Sequence, residues 1–256
     1  MLRAPLSALF WVFIAVTSLV IFPIALLTWI ATTPFDRRKR ALHWVTCFWA
    51  SLYTWLNPAW PTSVHHRDRL DSNEARVYVA NHLSLVDILV LFRLFSHFKW
   101  VSKIENFRVP LIGWNMYLNG YVPLTRGHKH SVVKMMARCD QLLADGNSIM
   151  MFPEGTRSTS GRMRRFKLGA FELALRNQVP LQPIAIRGTG NALPKRGFVL
   201  QGRHPISIDV LEPIRPDQYG QDDAQALAQR VRRALMNELG EPTDETTSAE
   251  NAAATV

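Results

Sequence analysis

No charged side chain occurs between Arg3 and Asp36, and that gap constrains the start of the chain more than any other feature. The run covers residues 4–35 and opens "APLSALFWVFIAVTSLVIFPIALLTWI". A cleavable signal peptide has an apolar region of roughly 7–15 residues ahead of a small-residue cleavage site, so this run is too long for one. As a single helix it would measure about 48 Å at ~1.5 Å per residue, against ~30 Å of bilayer hydrocarbon. Such a stretch is hard to bury in a domain of this size, and membrane association is the expectation. Two arrangements stay open. Pro23 is placed to break the run into a hairpin that dips and returns. Trp11 and Trp29 bracket nearly one bilayer thickness and favour a span.

A second segment, "ALHWVTCFWASLYTWLNPAW" from Ala41 to Trp60, carries the aromatic density expected at a lipid headgroup boundary and reads as lying on or shallowly in the membrane. Between the two stands "DRRKR", Asp36 to Arg40, which the positive-inside rule assigns to the cytoplasmic side. If both segments spanned, everything after residue 61 would lie outside the cytoplasm; if only the first spans, or both dip and return, the main domain is cytoplasmic.

The formal net charge is +10, from 30 Lys and Arg against 20 Asp and Glu. The last sixteen residues, "EPTDETTSAENAAATV", hold four of those acids and no base. The basic body favours an anionic partner: a membrane surface, a phosphorylated substrate or nucleic acid. No nucleic-acid recognition module accompanies the basic run Arg162 to Lys167, and no nucleic-acid partner is expected. Cys47 and Cys139 form no CxxC pair, which argues against a disulfide framework or a zinc site. "HHR" at 65–67 and "HKH" at 128–130 lack a third ligand at a recognisable spacing, so no metal site is expected.

From residue 75 the pattern alternates. "ARVYVA" (75–80), "FKWVS" (98–102), "GYVPLT", "NSIMMF" (147–152), "LQPIAIR" and "ISIDVL" read as strands. "LVDILVLFRLF" (85–95), "PLIGWNMYL", "SVVKMMARCDQLLADG" from a Ser131 cap to a Gly146 stop, "LGAFELALRN" and a polar stretch from Asp222 to Leu239 read as helices. "VHHRDRLD" is a basic connector. The expected fold class is α/β, with a mixed, largely parallel central sheet flanked by helices and preceded by N-terminal hydrophobic membrane-associated helices. Residues 1–61 form the membrane-associated segment, 62–240 the α/β domain, and 241–256 a tail whose composition reads as disordered.

In open α/β sheets, chemistry gathers where strand ends meet helix starts, and "NHLSLVD" occupies such a junction. Ser84 is a natural N-cap with Asp87 in the capping-box position, which accounts for Asp87 without any chemistry. On a continuous helix, residues five apart diverge by about 140°. His82, however, precedes the cap. A non-helical turn lets its imidazole fold back so that Asp87 accepts a ring N–H and fixes the tautomer, making His82 a general base for a hydroxyl group. A second block, "FPEGTRS" (152–158), follows a strand and combines Gly155 with the donors Thr156, Arg157 and Ser158, a set that suits a phosphate monoester. Its plain reading is a polar turn.

The two blocks, in this order and about seventy residues apart, resemble the glycerolipid acyltransferases, the family that includes 1-acylglycerol-3-phosphate acyltransferases. "SKIENFRVPLIG", "GYVPLTR", "FKLGAFELA" and "VPLQPIAI" are similar to further elements of that family, so the likeness runs roughly from Val77 to Pro213. Leu83, Leu85 and Asn106 depart from its usual residues, and these departures bear on the choice of acceptor. The resemblance implies transfer of a fatty acyl group from a thioester of coenzyme A or acyl carrier protein to the free hydroxyl of a lysophospholipid, most simply 1-acyl-sn-glycerol-3-phosphate. It makes His82 and Asp87 the catalytic pair. It places Lys103, Arg126, Glu154, Gly155, Thr156 and Arg157 at the substrate phosphate, with Glu154 either orienting Arg157 or solvated. Lys167 matches a family position within a basic run. The acyl thioester is a co-substrate and no cofactor is implied. The expected partners are membrane lipids, the lysolipid acceptor and the acyl carrier. Another lysolipid, such as a lyso-ornithine lipid, is the near alternative, and a non-catalytic lipid-binding protein the remote one. No G-x-S-x-G elbow occurs, which disfavours a hydrolase.

Overall fold

The computed structural model describes residues 3–71, 73–195 and 197–242. The tail expected to be disordered lies, beyond Glu241 and Pro242, outside the described residues.

Helix α1 (Arg3–Thr32) is continuous and carries Pro23 inside it, so the run is not broken into two. Each hydroxyl side chain on it is satisfied within the helix: Ser7, Thr17, Ser18, Thr28 and Thr32 donate to the carbonyls of Arg3, Phe13, Ile14, Ile24 and Thr28 at 2.6–2.8 Å. This is the self-sufficiency an apolar environment demands of a helix. α1 packs on α2 (Arg40–Trp55) and α4 (Ile112–Leu118), with Ile21 set against Trp49 and Tyr53. Its other side is a bare apolar row that includes Leu9, Val12, Val16, Leu19, Val20 and Leu27. α1 is also tied to the body near both ends. The Trp11 indole N–H donates to the Phe198 carbonyl at 2.7 Å, and Lys39, beyond the far end, donates to the Leu118 carbonyl at 2.7 Å.

The aromatic residues of the second segment divide. Trp44, Phe48 and Trp55 are exposed, while Trp49, Tyr53 and Trp60 are buried core. α2 is therefore a joint between the N-terminal helix and the sheet, with only its outer aromatics free for a headgroup layer.

The sheet has seven strands in the order β1-β7-β6-β2-β5-β3-β4. In chain order these are β1 (Thr62–His65), β2 (Val77–Ala80), β3 (Phe98–Lys103), β4 (Val122–Leu124), β5 (Ser148–Met151), β6 (Leu181–Arg187) and β7 (Ile206–Val210). Every pairing is parallel except β6 with β7, which makes the sheet mixed and largely parallel, as expected. The central strands β2 and β5 are buried throughout because helices cover both faces. Alternation along each strand sorts the two cores. Val77, Val79, Ile149, Met151, Leu181 and Ala185 face α5 (Lys129–Ala144), α6 (Gly169–Asn177) and α8 (Ala224–Leu239). Tyr78, Ala80, Met150, Ile184 and Ile186 face α2 and α3 (Val86–Leu91).

Several expectations shift. β1 lies just after the aromatic segment and runs into the basic connector at Val64 and His65, and it pairs with β7 at the sheet edge. Its side chains alternate half-buried and exposed, so "TSVH" has no apolar run to signal a strand. The expected helix 85–95 is a short α3 followed by a 3-10 turn at Phe92–Leu94. α5 begins before Ser131, whose hydroxyl instead accepts the Thr125 N–H at 2.9 Å. A one-turn helix, α7 (Thr189–Ala192), follows β6.

Candidate active site

The site is built at the carboxyl end of β2. Asn81, buried at the strand's exit, acts as one more rung of the ladder: its amide donates to the Ile186 carbonyl at 2.9 Å and accepts the Ile186 N–H at 2.8 Å. Its neighbour His82 is held by both main-chain polar groups. The N–H donates to Glu154 Oε1 at 2.8 Å, and the carbonyl accepts the Ser158 N–H at 2.8 Å. The two sequence blocks, "NHLSLVD" and "FPEGTRS", are thus stitched together through the backbone of a single histidine.

The His82 side chain turns back over the start of α3. Its Nδ1 lies 2.8 Å from Asp87 Oδ2, and the imidazole stacks on Phe152 with ring centroids 3.8 Å apart and planes within 7°. Asp87 is fully buried (0% exposed), and the same Oδ2 also accepts the N–H groups of Leu83 at 2.7 Å and Ser84 at 2.8 Å. The turn at 81–85 is what permits this meeting. A carboxylate has no proton to give, so the ring proton sits on Nδ1 and the lone pair on Nε2. Among the described residues no hydrogen-bond partner of Nε2 is found. Asp87 fills its capping place as well, by accepting the Ser84 N–H, while the Ser84 hydroxyl accepts the Val86 N–H at 3.2 Å and donates to the Leu193 carbonyl at 2.6 Å. The structural and chemical readings of Asp87 are therefore satisfied by one oxygen; its Oδ1 is buried without a partner among the described residues.

The expected phosphate residues sit at neighbouring strand ends. Lys103 closes β3, Arg126 follows β4, and Arg157 follows β5. Burial holds the Arg157 guanidinium below its usual pKa; nearby Asp87 opposes that shift, and Arg126 adds to it. Arg157 therefore feels both Arg126 and the Asp87 carboxylate of the His82–Asp87 pair. Lys103 pairs with exposed Glu105 at 3.0 Å. Gly155 has φ +72°, and a Cβ there would come within 2.8 Å of the Lys167 Cε, so the Lys167 side chain arches over the turn. The Gly155 N–H closes the turn by donating to Phe152 O at 3.0 Å and is not a free donor. Thr156 is half-buried in the same turn.

Glu154 takes a different place from the one expected. It is buried, and its two oxygens accept backbone N–H groups, from His82 at 2.8 Å and Arg164 at 3.0 Å. It neither orients Arg157 by a hydrogen bond nor lies in solvent. Burial drives its carboxyl up to about 7, against the pull of those two N–H groups and with help from Asp87. Glu154, Asn81 and Phe152 are contributors to which sequence reasoning gave no such part. The His82 amide that Glu154 holds is 72 residues away and the Ile186 backbone that Asn81 holds is 105 away, so no local pattern announces either pairing.

Comparisons with known proteins agree with this geometry. A family model described as Acyltransferase matches residues 61–187. A 1-acyl-sn-glycerol-3-phosphate acyltransferase of Chlamydomonas reinhardtii is 36% identical over 228 residues, covering 88% of this chain and 65% of that protein. The chloroplastic 1-acyl-sn-glycerol-3-phosphate acyltransferase BAT2 of Brassica napus is 37% identical over 182 residues, covering 70% of this chain and 52% of that protein. The chain thus spans about half to two thirds of the length of these relatives. The crystal structure of the 1-acyl-sn-glycerophosphate acyltransferase PlsC from Thermotoga maritima shares the fold, with a TM-score of 0.74 at 21% identity over 95% of this chain and 98% of that one. Motif pair, sheet and relatives converge, and the chain belongs to the acyltransferase family.

Proposed function

We propose that this protein moves a fatty acyl group from an acyl thioester, carried by coenzyme A or acyl carrier protein, to the free hydroxyl of 1-acyl-sn-glycerol-3-phosphate, giving phosphatidic acid. The observation that carries the reading is the 2.8 Å His82–Asp87 bond at a strand end, with Nε2 unpartnered among the described residues and the Arg157 guanidinium within electrostatic reach of Asp87.

His82 Nε2 takes the acceptor's hydroxyl proton as that oxygen attacks the thioester carbonyl. The buried Asp87 carboxylate holds the ring and stabilises the imidazolium that forms. Collapse of the tetrahedral intermediate breaks the C–S bond, and the imidazolium returns its proton to the departing thiolate. The thioester is already activated, so no enzyme nucleophile and no acyl-enzyme enter the reaction. Arg157 and Arg126, with Lys103 and Lys167 beside them, hold the acceptor's phosphate by charge-assisted hydrogen bonds.

The bare row of α1 lies in lipid. Because α1 is fastened to the α/β domain near both ends, a helix lying against the domain is favoured over one projecting from it. The cluster Arg37 to Arg40 at the turn supports, by the positive-inside rule, a cytoplasmic position for that domain.

The test is an assay of the purified protein in detergent, with a labelled long-chain acyl thioester against a panel of lysolipids. The reading expects strong preference for the phosphate monoester. Equal turnover of a lyso-ornithine lipid, or of lysophosphatidylcholine, contradicts it.

A further inference from the structure

A reaction between two substrates needs two approaches to His82, and the strand order separates them. β2, which delivers His82, lies between β5 and β6. The cations lie on the β5 side: Arg157 and Lys167 after β5, Lys103 at the end of β3, Arg126 after β4. On the β6 side there is instead a cavity of about 770 Å³. It opens between the turn after β2, the end of the "FPEGTRS" block and the loop after β6, and it is lined by Leu83, Ser158, Ser160, Gly190, Asn191 and Lys195 among others.

We propose that this cavity, beside His82 and bordering the phosphate cations at Arg157, receives the phosphopantetheine arm that coenzyme A and acyl carrier protein share. The inference rests on the acyl-transfer reading above and assigns the donor's side of the same site. The lining matches that arm group by group. Its two amides need donors and acceptors, which the Ser158 and Ser160 hydroxyls and the Asn191 amide provide. Its dimethyl carbon has Leu83 to lie on. Its phosphate has Lys195, half-buried, whose ammonium already reaches the Arg157 carbonyl at 2.6 Å and so stands at the cavity's border with the phosphate side. Room at the floor depends on Gly190: a Cβ there would come within 3.3 Å of the Leu83 Cβ, narrowing the gap between α7 and the residue that follows His82. A volume of this size lies within the range of small-molecule sites, roughly 300–1,000 Å³.

Two substitutions fill the cavity from exposed positions outside the catalytic and phosphate-binding groups, Asn191→Trp and Ser160→Trp. Steady-state kinetics, varying one substrate at a time, are expected to show the KM for acyl-CoA raised about tenfold or more and the KM for the lysolipid within about twofold, with the melting temperature unchanged. A parallel rise for acyl carrier protein supports the shared arm; a rise confined to one carrier overturns the assignment to the arm both share. An unchanged donor KM in both variants, or a rise in the lysolipid KM alone, overturns the proposal. Calorimetry with 4′-phosphopantetheine on His82→Ala protein separates this inference from the catalytic one. Binding there, weakened at least tenfold by adding Asn191→Trp, is expected even though transfer is lost. Equal binding with and without Asn191→Trp, or none in either, contradicts the cavity's assignment. Full transfer by His82→Ala contradicts the general-base reading and leaves the binding result standing.

Discussion

The backbone N–H of His82 ends on a carboxylate oxygen of Glu154, 2.8 Å away and 72 residues further along the chain. Glu154 also anchors the Arg164 N–H at 3.0 Å. It is a positioning residue, acting on the acceptor's proton only through where it sets His82. Removing it leaves two amide donors without their acceptor, at about 1–3 kcal/mol each where water cannot replace it. Glu154→Ala is expected to lower kcat about 10²-fold, the scale of a misplaced catalytic group, with the KM for lysolipid nearly unchanged. Glu154→Gln, which keeps one acceptor oxygen, should recover part of the loss. A rise in KM without a fall in kcat would show that Glu154 serves the phosphate instead.

Asn81 fixes the other flank. Its side chain exchanges two hydrogen bonds with the Ile186 main chain, at 2.9 and 2.8 Å, in a fully enclosed setting. Asn81→Ala should destabilise the fold by about 2–6 kcal/mol, from two unmet backbone groups at ~1–3 kcal/mol each. Asn81→Asp restores only the acceptor and should fall between. Denaturant midpoints measure both, and an unchanged midpoint for Asn81→Ala refutes the account of Asn81 as an added rung.

Lys99 supplies a pH dependence. It is buried on β3, and its ammonium donates to the carbonyls of Arg38 at 2.7 Å and Asn119 at 2.8 Å, fastening the basic turn after α1 to the sheet. Burial pushes its pKa down to about 7, with Lys39 adding to the effect. The folded chain therefore releases this proton near pH 7, whereas the unfolded chain keeps it up to the ordinary lysine range near 10.4. Between those values the unfolded state binds more protons, so this group's contribution to stability rises with pH, by at most about 1.4 kcal/mol per unit. Unfolding free energies at pH 6, 7.5 and 9, with Lys99→Met as reference, should show the difference between the two proteins moving in favour of the native chain above pH 7. A pH-independent difference counts against this.

The bare row of α1 predicts how the protein meets lipid. Val12, Val16 and Val20 follow one another at four-residue spacing and are each more than half exposed, at 57%, 53% and 61%. Replacing all three with lysine places charges where lipid contact is expected, at roughly 2.5–3.5 kcal/mol for each deeply placed charge. Flotation with anionic vesicles should show the triple variant shifted to the unbound fraction, its α/β domain still folded. Undiminished flotation would mean that another surface carries the attachment.

Much of this architecture was legible in the sequence because it follows from local patterns. Strands such as "LQPIAIR" and "NSIMMF" are apolar enough to declare burial on both faces, and the stretch Asp222 to Leu239 reads as a helix that α8 fills from Ala224, with Asp223 found to cap it by accepting the Ala226 N–H at 2.8 Å. The His82–Asp87 meeting was legible for the same reason: a turn five residues long is a local object. What escaped is what depends on distant chain segments. β1 is a strand because β7 is beside it, with His65 set opposite Asp209. Glu154 reads as a polar turn residue until the fold delivers the His82 amide to it. Pro23 leaves a break or a continuous helix open in the sequence, and α1 runs through it, its neighbours Ile21 and Phe22 packing on α2 and on Trp114 of α4.

The central claim is that the imidazole of His82, steered by Asp87, removes the acceptor's proton. The rate of acyl transfer by purified His82→Ala protein, in vesicles containing the lysolipid and with the melting temperature of the native chain, tests it most directly. A positioned general base contributes about 10²–10⁴-fold, so a fall in kcat of at least about a hundredfold is predicted, with lysolipid binding retained. Transfer at a rate close to that of the native protein contradicts the account.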